Sequence, residues 1–177
     1  MKQKLGNVAL AAFLVIAVTL TARAADDLKT EAERAINRFK EVDPGLQTFF
    51  DKSAGYAVFP SVGKGGLIIG GERGKGLVYE KGKPAGEAIL TEASIGAQVG
   101  GEVFSEIIFF ETPDMLQEFK RGKFMVDAQL NGVVAAEGAE QHARFEHGVA
   151  VFVLPKKGLM GQASVGGQKF QFIPLSQ

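Results

Sequence analysis

A chain of 177 residues is one domain by length and is long enough to bury a sizeable core. Basic and acidic residues balance at 20 each, which excludes the gross positive field of a general nucleic-acid binder. The absence of cysteine excludes disulfides, thiolate metal sites, a cysteine nucleophile and a lipid-modified N-terminal cysteine, while 23 glycines and 14 phenylalanines favour turns and strands over a helical bundle.

The first 24 residues read as a signal peptide. Lys2 and Lys4 form a short positive region, Val8 to Leu20 is an apolar run of 13 residues, and Ala22-Arg23-Ala24 is the small-x-small pattern that a signal peptidase needs. The run is short for a membrane span, since a transmembrane helix needs about 20 apolar residues. Cleavage after Ala24 removes Lys2, Lys4 and Arg23, leaving 17 basic against 20 acidic residues and a net charge of −3 on residues 25–177. The expectation is an exported protein, in the periplasm, at the outer membrane or secreted.

Asp26 to Val42 reads as an amphipathic helix, with Leu28, Ala32, Ala35, Ile36, Phe39 and Val42 on one stripe of a 3.6-residue period. Lys29, Glu33, Arg34, Asn37, Lys40 and Glu41 make its polar face. Asp43-Pro44 is an N-cap and first-turn pair for a second, short helix ending by Phe50 or Lys52, with Gly55 as its stop.

The stretch Gly55 to Gly76 starts as an apolar strand, Tyr56-Ala57-Val58-Phe59, and then carries seven glycines from Gly63 to Gly76. Leu67, Ile68 and Ile69 lie among them and call for a core, so short strands meeting at tight turns are expected, with glycine where a side chain would collide with a neighbouring backbone. Lys64, Arg73 and Lys75 stand in these turns against a single acid, Glu72. A strand over Gly74 to Glu80 and a turn at Lys81-Gly82-Lys83-Pro84 follow. Ala88 to Phe110 alternates over its whole length, Ile89, Ile95, Val99, Val103, Ile107 and Phe109 on one parity and Glu92, Gln98, Glu102 and Glu106 on the other. That length predicts a bend or hairpin near Gly100-Gly101.

Thr112-Pro113-Asp114 starts a helix with Met115, Leu116 and Phe119 on its apolar face and Gly122 as its stop. A half-buried strand is expected from Phe124 to Asn131, a buried one over Val149 to Leu154, and a closing pair around Gly166-Gly167 within Leu159 to Ile173. The pattern G-x-A-V-F, a proline, then lysine and glycine occurs at Gly55–Phe59 and again at Gly148–Phe152, and the second copy leads to Lys156 and Lys157. Pseudo-symmetry and chance similarity of two hairpins both account for the echo.

Motifs for catalysis are missing. A phosphate-binding loop ending at Gly74-Lys75 would need glycine at Ile69 and Ser or Thr at Gly76, and the dinucleotide pattern fails at Ile68 and at Tyr79. His142 and His147 are one residue out of the inverted zinc-protease spacing and read as surface residues. Glu92, Glu102 and Glu106 on one strand face suit an acid-base pair, and equally a solvated polar face. No enzyme class is supported, and no cofactor, metal or nucleic acid is expected.

Four blocks carry a resemblance: GYAVFPSVGKGGLIIGGERGKGLVYE, TEASIGAQVGGEVFSEIIFFET, FKRGKFMVDAQLNGVVAAEG and AVFVLPKKGLMG. Through them the chain resembles the SYLF domain, a family also described as lipid-binding or actin-regulating, over essentially all of the mature chain. The resemblance implies membrane-lipid binding without catalysis. Phosphoinositides and actin, ligands of eukaryotic members, suit an exported chain of net charge −3 poorly; anionic phospholipid suits it better, with Lys64, Arg73, Lys75, Lys156 and Lys157 as the headgroup-binding candidates. The rival reading is a structural or protein-interaction module whose glycine turns serve packing alone; a hydrolase using Glu102, Glu106 or a histidine ranks below both. The expected fold is α+β, a mainly antiparallel barrel or sandwich, closed or partly closed, with N-terminal helices and one inserted helix. Intact-mass measurement of the protein recovered from its native envelope should show Ala25 as the first residue; a chain starting at Met1 would overturn the export reading.

Overall fold

The computed structural model describes residues 26–63, 72–92, 103–122, 124, 131–156, 163–164 and 168–175. Helix α1 spans 26–42 as its periodicity requires, and Ala32 and Phe39 on its apolar stripe are completely buried. Leu28, Ile36 and Val42 pack half-buried against the same cluster. Alanine at 32 and 35 lets the helix axis come close to the sheet beneath it.

Asp43 ends α1 and starts the next turn. Its Oδ1 accepts from the Gly45 N–H at 3.2 Å, capping a 3-10 turn at Pro44–Leu46, and its Oδ2 accepts from the Glu140 N–H at 3.0 Å. One buried carboxylate thus ties the α1 corner to a segment 97 positions further on. Helix α2, Gln47–Lys52, follows directly, and the Phe49 ring lies 5.6 Å from that of Phe109 and 5.0 Å from that of Phe152.

The strands are β1 (Gly55–Gly63), β2 (Glu72–Glu80), β3 (Lys83–Glu92), β4 (Val103–Phe110), β5 (Asn131–Val134), β6 (Val149–Pro155), β7 (Ala163–Ser164) and β8 (Gln168–Pro174). They form one sheet in the order β7-β5-β6-β4-β1-β2-β3-β8, antiparallel throughout except for the parallel pair β5 and β6. Between β4 and β5 lies helix α3, Pro113–Lys120, capped by the Thr112 hydroxyl oxygen, which accepts from the Met115 N–H at 3.3 Å. Lys120 ties it to β2 through a 2.6 Å ion pair with Glu80.

The sheet has two buried faces. Val58, Leu77, Tyr79, Ile107, Phe109 and Phe152 face α1 and α2, whereas Ala57, Phe59, Val78, Leu90, Ile108, Val151 and Phe170 face inward against Leu116 and Phe119 of α3 and against Phe124. The inner face is concave. Gln168 on β8 donates from Nε2 to Oε2 of Glu106 on β4 at 3.0 Å, although β1, β2 and β3 stand between them. In a flat sheet, four strand spacings would separate those strands by roughly 19 Å. The Phe59 and Phe170 rings, from β1 and β8, likewise meet at 5.7 Å. The sheet is therefore rolled around the inner cluster, and among the described residues β7 and β8 are its two edge strands and do not pair with each other, so it does not close.

Glycine makes the roll possible at β2. A Cβ on Gly76 would lie 2.5 Å from the Val58 carbonyl oxygen and 2.6 Å from Cδ1 of Phe59, so the Phe59 ring rests directly on the β2 backbone. Gly74 and Gly76 thus serve close approach, but within a strand: Arg73 and Lys75, expected in glycine turns, stand on β2 instead.

Several expectations change. β3 and β4 do not form a hairpin, because β1 and β2 lie between them; β1 is apolar on both sides and takes β2 and β4 as its partners. In β4 the alternation does not separate a wet face from a dry one, since Phe104 to Phe110 are buried on both parities, whereas in β3 burial alternates with Ala88 and Leu90 inside and Ile89 half-buried. Glu106 is on no solvated face: it is completely buried and bonded to Gln168. β7 and β8 are not a neighbouring pair. Of the strand expected from Phe124, only Phe124 itself and the start of β5 are described, and positions 125–130 lie outside the described residues.

Phe39, fully buried between α1 and the outer face, anchors the helix. Replacing it with Ala should cost about 3–5 kcal/mol in chemical denaturation. A variant as stable as the parent would mean that α1 is held by something other than its apolar stripe.

Candidate functional site

The two G-x-A-V-F copies occupy β1 and β6, and both pair antiparallel with β4, one on each side of it. Val58 and Phe152 flank Ile107, and Gly63 and Pro155 reach Val103 and Phe104 at the start of β4. The copies are related through β4 rather than packed as neighbouring hairpins. Their directions agree, so β1 and β6 stop at the same end of the sheet, at Gly63 and Pro155. β2 starts there too, with Gly74 opposite Val62 and Lys75 opposite Ser61.

Of the five predicted cations, Lys75 and Lys156 are exposed at this end. Lys156 is held by its backbone, whose N–H donates to the Val103 carbonyl at 2.9 Å. Arg73 lies on β2 beside Gly74. Lys64 and Lys157 lie outside the described residues. Lys75 and Lys156 share an end of the sheet without sharing a site: three strand spacings, roughly 14 Å, separate β2 from β6.

A groove does form there, and Lys156 lines it. Its volume is about 610 Å³, with Glu31, Arg34 and Arg38 of α1 on one side and Lys156 on the other, above a floor of Ala35, Pro60, Leu154 and Pro155. Pro60 explains the opening. It has no N–H for the ladder, and the register of β1 slips at this point against both β2 and β4. The Pro60 carbonyl accepts instead from the buried Ser105 hydroxyl at 2.8 Å, which fixes the floor. Arg38 is steadied by Glu41 at 3.1 Å, and Arg34 has no ion-pair partner among the described residues. Three cations thus face one groove carboxylate over an apolar bed.

Sequence reading missed this groove. It set Arg34 on the polar face of α1 and did not single out Arg38 or Glu31, because periodicity shows which helix face is wet but not which strand ends it overhangs. The i, i+4 spacing of Arg34 and Arg38 beside the buried Ala35 was the available signal.

No family model matches the chain. Over 145 residues it is 28% identical to Beta cell expansion factor A of Aeromonas veronii. The match covers 81% of this chain and 55% of that protein, so the chain spans about half the length of the curated relative.

Other polar groups stand apart from the groove. His142 and His147 are both exposed, as expected of surface residues. Under α1, the Tyr56 and Tyr79 rings stack at 4.9 Å and 16°. Burial, then Tyr56, then Glu33 push the Tyr79 phenol up from 10.0 to about 12. The neutral form is the one the fold favours, so its contribution is fully present below pH 10 and is lost as pH rises through about 12. The Tyr79 hydroxyl oxygen is buried without a hydrogen bond among the described residues. Tyr79→Phe should therefore fold at neutral pH with no loss of stability and lose less stability on alkaline titration. A marked loss at neutral pH in chemical denaturation would show that the hydroxyl has a partner.

Proposed function

We propose that this chain is a SYLF-type domain that binds membrane phospholipid in the cell envelope, through anionic headgroups and without catalysis. One observation carries the reading most directly: β1 and β6 run the same way on either side of β4, so Gly63 and Pro155, where they stop, lie at one end of the sheet. In sequence Lys64 follows β1 and Lys156 and Lys157 follow β6, and Arg73 and Lys75 stand where β2 begins. Cations gathered at one end attract an anionic surface even when the whole mature chain carries −3, because the local field governs the encounter. Each Lys or Arg near such a surface is worth about 1 kcal/mol, and the attraction fades over a Debye length of about 8–10 Å. The four sequence blocks that resemble the SYLF domain, and the signal peptide ahead of them, agree with an envelope lipid as the target.

The test replaces Lys64, Arg73, Lys75, Lys156 and Lys157 with glutamine and measures binding to anionic and neutral vesicles at low and high salt. Weaker binding at low salt, a flatter salt dependence and unchanged circular dichroism are expected. A folded variant that binds anionic vesicles as tightly as its parent would sink the basic-end reading.

A further inference from the structure

We infer that the groove between α1 and the ends of β1, β4 and β6 holds the phosphate of a single phospholipid molecule, gripped by Arg34 and Arg38 on one side and Lys156 on the other. This rests on the lipid-binding reading and goes beyond it, because a groove that seats one molecule is a different device from a charged rim that leans on a surface.

The chemistry of the lining chooses the ligand. Two guanidinium groups and one ammonium oppose a single groove carboxylate, Glu31. Guanidinium forks match phosphate oxygens in pairs, and charge-assisted contacts of this kind are shorter and stronger than neutral ones. Arg38 already pairs with Glu41 at the groove rim, an exposed contact that a phosphate replaces at little cost. The volume of about 610 Å³ lies within the roughly 300–1,000 Å³ of ordinary small-molecule sites. Below the cations the bed is Ala35, Pro60, Leu154 and Pro155, with no aromatic ring among the lining residues to stack on a base. That bed suits the glycerol and first methylene groups of a lipid and offers a nucleotide only its phosphate contacts. Val103 at the start of β4 is 40% exposed beside this end and extends the apolar surface on which acyl chains would lie.

The groove is built rather than incidental. One wall is a helix anchored by Phe39, and the floor is the slipped stretch of β1 pinned by Ser105. Neither depends on the ligand for its position. Such a site should saturate at one lipid per chain.

The experiment titrates monomeric dihexanoyl phosphatidylglycerol, below its micellar concentration, into the mature chain and follows amide shifts by NMR. Parallel arms use glycerol 3-phosphate, the double variant Arg34→Gln/Arg38→Gln, Lys156→Gln, and Lys169→Gln, an exposed lysine on β8, as the control outside the groove. We expect one-to-one saturation with the largest shifts around Arg34, Arg38 and Lys156. Lys156→Gln should lose about tenfold in affinity, the loss of one charge-assisted contact, and the double variant, which loses two, about a hundredfold, both at unchanged melting temperature. Lys169→Gln should bind like the parent, and glycerol 3-phosphate should bind more weakly than the lipid. A folded double variant with parental affinity, or shifts centred elsewhere, overturns the groove. Equal binding of glycerol 3-phosphate overturns the lipid and leaves a soluble phosphate ester as the ligand. If the parent ignores monomeric lipid but still binds anionic vesicles, the groove assignment fails while the membrane reading stands; if it takes up monomeric lipid yet ignores vesicles, the reverse holds.

Discussion

Val58 and Phe59 are adjacent in β1, point to opposite faces of the sheet and are both completely buried. A strand with no wet side has to be covered twice, and the layers of this molecule meet that demand. Above it lie α1 and α2, brought over the outer face by the corner at Asp43. Beneath it the sheet rolls until β8 comes under β1 and α3 fills the remaining end. The roll in turn depends on absent side chains, since the Phe59 ring occupies the space that a Cβ on Gly76 would need. Burial of β1 on both faces is thus the constraint from which the helix placement, the curvature and the use of glycine in β2 follow.

The helices were legible in the sequence because their signals are local. Six apolar residues at helical spacing marked α1, and Asp43-Pro44 and Thr112-Pro113 marked the two later starts with side chains that do accept the expected backbone N–H groups. The strands were legible as strands, but their order was not. Parity tells which face of a strand is buried only when one face is wet, and β1, β4 and β6 are buried on both. The long alternation through Glu102 and Glu106 suggested a polar face because a carboxylate usually seeks water. Glu106 found Gln168 instead, 62 positions away, and no local pattern announces such a partner.

The candidate site divides in the same way. Lysines in glycine turns were visible as a basic feature, and the repeated G-x-A-V-F hinted that two such turns were related. What related them is a shared neighbour, β4, and this is a fact of pairing that neither copy carries alone. Arg34 and Arg38 acquire meaning only once α1 is laid across the strand ends. Their groove also needs Pro60, whose missing N–H loosens the ladder at the point where the helix passes. A proline inside an otherwise apolar strand was a readable irregularity, and it marks the place where regular pairing gives way to an opening.

The bond between Gln168 and Glu106 has a consequence for the order in which the chain can assemble. β1 and β2 each pair with the next strand in sequence, at the low loop-closure cost of local contacts. Glu106 meets Gln168 only when β4 has joined β1, β8 has joined β3 and the sheet has curled, because no smaller part of the roll brings those two side chains within reach. Until then the carboxylate keeps its water. The bond is thus also a latch, whose closing records that both arms of the sheet are in place.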